Sequence, residues 1–67
     1  MIEVQINGVA QLLPVGINLA QLLVQLQLHE RRLAVEYNLG VVPRSEYATL
    51  HLQQGDRLEI VHAIGGG

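Results

Sequence analysis

The side chains of this chain offer little reactive chemistry. Cysteine is absent, and Ser45 stands in no nucleophile motif with a histidine. His29, His51 and His62 stand 22 and 11 residues apart, which matches no common metal-ligand spacing, so they read as surface or edge residues. Gly40 runs into Val41-Val42-Pro43 rather than into a helix, so no glycine loop is placed to cradle phosphate. What stands out is the end, Ala63-Ile64-Gly65-Gly66-Gly67. Such a run is either a frayed terminus or a working one. On the second reading the reacting group is the α-carboxylate of Gly67. A carboxylate is a poor electrophile and must first become an acyl-phosphate-type anhydride, formed by an enzyme that admits the chain end into a narrow nucleotide site. Residues without a Cβ give the slimmest backbone for that passage. Extended, residues 63–67 reach at most ~17 Å. Fixing three glycines costs roughly 1–2 kcal/mol each, so a folded body must supply the affinity.

That body has to be small. A chain of 67 residues is one domain, expected over residues 1–63, with residues 64–67 as a flexible tail. A domain of this size buries only about 60 % of its unfolded surface, so its core must be used fully. Twelve Leu, eight Val and five Ile supply it, against two aromatics, Tyr37 and Tyr47. Ile2, Val4 and Ile6 alternate with Glu3 and Gln5 as in a half-buried strand, and Asn7-Gly8 is the strongest short hairpin signal. Val9 to Leu13 should return antiparallel, closed by Pro14. Asn18 with Gln21 has capping-box spacing, Ile17 is placed as its staple, and Leu19, Leu22, Leu23 and Leu26 form one helical stripe. Leu28 reads as a core residue just past the helix, although no glycine stands near Gln27 to end it. Leu33, Val35 and Tyr37 alternate in a third strand. Asn38-Leu39-Gly40 turns into a short Val41-Val42 strand, and Ser45 should cap one helical turn to Ala48. Gln54-Gly55-Asp56 turns into a last strand with Leu58 and Ile60 inward. The helix stripe should pack on Ile2, Val4, Ile6, Val35, Leu58 and Ile60. This order gives an α+β fold of the β-grasp kind, a mixed sheet of four to five strands crossed by one helix.

Charge narrows the partners. Six acids against four arginines and no lysine give a formal net charge of −2, which argues against nucleic acid or an anionic membrane surface. Residues 4–29 carry no formal charge, but Gly8, Pro14 and Gly16 interrupt them, so they lack the ~20 consecutive apolar residues of a membrane span. No basic segment or cleavage site follows Met1-Ile2-Glu3, so a cytoplasmic protein is expected. Glu3, Glu36 and Glu59 should share the sheet face away from the helix with Val61. That set is either a solvated face or a docking surface.

The stretch Leu33-Ala34-Val35-Glu36-Tyr37-Asn38, then Val42-Pro43-Arg44, Leu52, Gly55-Asp56, Glu59-Ile60-Val61 and Gly65-Gly66-Gly67 resembles the ThiS family. These are the sulfur carriers of thiamine (thiazole) biosynthesis, and the resemblance covers essentially the whole chain. It implies a ubiquitin-like β-grasp and a carrier rather than an enzyme, with no cofactor bound. A ubiquitin-activating-type (ThiF-like) adenylyltransferase would use ATP and magnesium to form an acyl-adenylate at Gly67. Sulfur from a donor such as a cysteine desulfurase would give a Gly67 thiocarboxylate, delivered to a ThiG-like thiazole synthase. Gly65 and Gly66 would thread the tail, and Glu36, Glu59, Val61 and Ile64 would dock partners. Arg44 is expected to order a turn or pair with an acid, and Asp56 to serve its turn. The rivals are a molybdopterin-synthase small subunit, a ubiquitin-like protein modifier and a passive β-grasp interaction domain.

Overall fold

A computed structural model describes residues 1–62. The expected boundary between residues 63 and 64 lies outside the described residues. The chain runs β1 (Ile2–Ile6), β2 (Val9–Leu13), α1 (Leu19–Gln25), β3 (Leu33–Tyr37), β4 (Gly40–Val42), a 3₁₀ turn (Arg44–Glu46) and β5 (Arg57–His62). The five strands form one mixed sheet in the order β2-β1-β5-β3-β4, with β1 and β5 parallel at its centre and the other pairs antiparallel. With α1 contributing its buried residues to one face, this is the ubiquitin-like β-grasp.

Local chemistry explains the elements. Asn7 and Gly8 both take positive φ, 52° and 83°, which closes the two-residue β1–β2 hairpin with the twist its strands require. The Asn18 side chain accepts from the Gln21 backbone N–H at 2.8 Å, and the Gln21 side chain accepts from the Asn18 N–H at 3.0 Å. Ile17 and Leu22, on either side of this box, are both buried. At the other end, Leu28 N–H donates to Leu23 O at 2.8 Å and Gln27 N–H to Val24 O at 2.9 Å. These are the paired bonds of a Schellman ending. The expected glycine is replaced there by Gln27, at φ 62°.

Three expectations need correction. The turn after β4 is 3₁₀, and its N-cap is Pro43, with no side-chain cap bond from Ser45. Pro43 is extended and its carbonyl accepts from Glu46 N–H at 2.9 Å, so Ser45 already lies inside the turn. Ile2, Leu26 and Leu28 pack against the core half-buried rather than filling it. Leu13, Ile17, Val42 and Leu52 join the core, at 1 %, 5 %, 7 % and 2 % exposure. The segment around His51 is drawn in by backbone bonds from Leu19 N–H to Leu50 O and from Leu52 N–H to Ile17 O, at 2.9 and 3.0 Å.

Candidate functional site

The last described strand carries the chain toward its end, and two asparagines fix where it lies. Asn7 Oδ1 accepts from Ile60 N–H at 2.7 Å while its Nδ2 donates to Ile60 O at 3.1 Å. The side-chain amide thus replaces a backbone partner beyond the end of β1. Asn38 does the same at the start of β5: its Oδ1 accepts from Arg57 N–H at 2.9 Å, and its own N–H donates to Arg57 O at 2.9 Å. Both asparagines sit at positive φ in two-residue hairpins, a conformation that Asn tolerates better than most residues. Hairpin signals marked these turns in the sequence; the bonds to β5 join residues far apart and had no local signature.

Asp56 is buried, and its carboxylate accepts from Tyr37 Oη at 2.8 Å, Gln53 N–H at 2.7 Å and Asn38 Nδ2 at 3.3 Å. The expected turn role is its bond to Gln53, and the rest joins β3 to β5. Partial burial, and then the neighbouring Asp56 carboxylate, push the Tyr37 hydroxyl above its ordinary value of 10.0. Every buried side-chain nitrogen and oxygen among the described residues has a partner. No group of three or more His, Cys, Asp or Glu gathers there as a metal site.

One surface is the sheet face away from α1. Glu36 and Glu59 are direct partners across β3 and β5, Ala34 pairs with Val61, and Val41 pairs with Glu36. Paired residues point to the same face, so Glu36, Glu59 and Val61 come together as expected. Val41 joins them and was missed because its two-residue apolar run gives no period from which to read a face. Val41 is 74 % exposed and Val61 56 %. Like charges directly opposite one another destabilise a sheet, so this patch carries a standing cost. Glu3 is on the same face but toward the other end of the strands, its strand-mate Gln5 standing opposite Arg57. Arg44 orders a turn through its carbonyl, which accepts from Tyr47 N–H at 3.1 Å; among the described residues it pairs with no acid. Ile64, Gly65, Gly66 and Gly67 lie outside the described residues.

No helix among the described residues is long and apolar enough to cross a membrane. A thiazole synthase of Paramagnetospirillum magneticum is 44 % identical over 62 residues, which is 92 % of this chain but 19 % of that relative, so the chain spans about a fifth of its length. An uncharacterized protein, ycf40, of Pyropia yezoensis is 35 % identical over 66 residues, 98 % of this chain and 93 % of that one. The crystal structure of thiamine biosynthesis protein ThiS from Geobacter metallireducens superposes with a TM-score of 0.85 at 25 % identity, covering 98 % of this chain and all of that one. A model of the ThiS family matches residues 4–67, from within β1 through the closing glycines. Fold and sequence agree, and the chain belongs to the ThiS family.

Proposed function

We propose that this chain is a sulfur carrier for thiazole formation, with the Gly67 carboxylate as its working group. The observation that carries the reading is the thiazole synthase relative: one polypeptide of that name contains a segment 44 % identical to this chain. A carrier-like segment joined to a synthase supports thiazole synthase as the acceptor. In the first step a Gly67 carboxylate oxygen attacks the α-phosphorus of ATP, held with magnesium by a ubiquitin-activating-type adenylyltransferase, and pyrophosphate leaves. In the second the outer sulfur of a persulfide, formed by a cysteine desulfurase or its equivalent, attacks the acyl carbon and AMP leaves; a thiol then attacks the inner sulfur of the acyl disulfide, forming a new disulfide and releasing the thiocarboxylate. The resulting thiocarboxylate passes its sulfur to thiazole synthase. Gly65 and Gly66 keep the chain end narrow enough to thread both enzymes, while Glu36, Glu59, Val61 and Ile64 dock the body. The chain is then a co-substrate, not a catalyst, and works in the cytoplasm beside its ATP-using partner.

Incubation with the activating enzyme, ATP and magnesium should release pyrophosphate in proportion to carrier. Addition of the sulfur donor should give an intact mass heavier by the sulfur-for-oxygen difference. Deleting Gly67 moves the terminus back by one residue, ~3.5 Å, a displacement larger than reacting groups tolerate. Thiocarboxylate formed as fast by the deletion as by the full chain would show that Gly67 is not the reacting end.

A further inference from the structure

We propose that the groove between α1 and the turn after Pro43 is a second docking site, built to hold an acidic segment of a partner protein by one large apolar side chain. Leu23, Val24, Leu33 and Tyr47 form its apolar lining, which His29, Arg31 and Arg44 complete. Its volume, about 180 Å³, is below the roughly 300–1,000 Å³ of a typical small-molecule pocket. One bulky aliphatic or aromatic side chain fills it, whereas a nucleotide or cofactor does not fit.

Charge selects what surrounds that anchor. No acidic residue lines the groove. Among the described residues the only carboxylate within 4.0 Å of a basic side chain is Glu30, beside the lining residue His29, so neither Arg31 nor Arg44 has a carboxylate partner there. Two guanidinium forks beside an apolar floor match carboxylates flanking an apolar anchor, because the fork accepts a carboxylate by two parallel bonds. Nucleic acid fits poorly, since the whole chain carries −2 and has no lysine. Glu36, Glu59 and Val61 occupy the opposite face of the sheet, so both surfaces can be covered at once. Leu33 pairs with His62 across β3 and β5, which sets the groove beside the end of the last described strand. The inference does not depend on the chemistry assigned to Gly67.

The test pans a phage-displayed library of random 12-residue peptides against the full chain. Enriched peptides should carry one Leu, Ile, Phe or Trp flanked by Asp or Glu. A synthetic copy should move the backbone amide resonances of Ala20, Val24, Arg31 and Arg44. Binding should weaken at least tenfold in the Arg31→Gln, Arg44→Gln double variant. If that variant loses the native amide spectrum, the same loss is sought in the unaltered protein with the peptide's acids changed to Lys. The proposal is overturned by no enrichment over blank support, enrichment without acids, resonance changes confined to the outer sheet face, or affinity indifferent to the charge changes.

Discussion

Tyr37 and Asp56 carry the clearest consequence of a single contact in this domain. Their bond of 2.8 Å joins the end of β3 to the residue just before β5. The Tyr37 hydroxyl is pushed above 10.0, so the folded chain holds that proton to higher pH than the unfolded one. Its contribution to stability is then complete below about pH 10 and is lost as pH rises through the raised value. Tyr37→Phe should cost about 1–2 kcal/mol at neutral pH, since the partner is a carboxylate. It should also abolish this part of the alkaline loss. Urea midpoints at pH 7, 9 and 11 measure both effects, and parallel curves for the two proteins would remove Tyr37 from the account. Asp56 shows how far such a site can be read from sequence. Its turn chemistry was legible from Gly55 beside it, whereas Tyr37 stands in another strand and alternation alone gave it only an inward face.

At the scale of elements, α1 is the vulnerable part. Leu19–Gln25 is seven residues long, too short to persist in isolation, so packing and its two ends must hold it. Leu22 is fully buried, and Leu22→Ala should cost about 2–5 kcal/mol. A denaturation midpoint unchanged by that substitution would mean that the stripe does not face the core. The C-terminal end invites the opposite change. A side chain in the left-handed region costs roughly 1–2 kcal/mol, and glycine returns part of that gain through the greater freedom of the unfolded chain. Gln27→Gly should therefore stabilise by about 0.5 kcal/mol, seen as a small rise in melting temperature; a fall would mean the Gln27 side chain makes a contact worth more than the strain. Both hairpin strands and the capping box were legible because their signals are confined to a few neighbouring residues. The pairing of residues 17–19 with 50–52, and with it the burial of Leu52, was not. Leu50 and Leu52 alternate with His51, but so short a run does not show what it packs on, and that is set by its partner across the chain.

Across the whole molecule, the strands place Glu3, Glu36 and Glu59 on the outer face of the sheet with Arg57 as their one basic companion there. Arg31 and Arg44 line the groove beside α1, while Glu36 and Glu59 oppose each other on the far face. A sheet held together for stability alone gains nothing from that acidic pair, which costs roughly 0.2–1 kcal/mol. A cationic partner would reverse the sign, since it turns mutual repulsion into a concentrated attraction flanked by apolar Val41 and Val61. Stability and partner use should thus move in opposite directions. Glu59→Gln should leave the domain as stable or slightly more so, by up to about 1 kcal/mol. It should also lower kcat/KM for pyrophosphate release by the activating enzyme about five- to tenfold, and more at low salt, where steering between exposed charges is least screened. Glu3→Gln, on the same face but away from the pair, is the control and should change the rate little. Equal losses for both substitutions would reduce the effect to net charge. No loss for Glu59→Gln, with stability gained, would leave the pair as a cost without a use and take the outer face out of the docking surface.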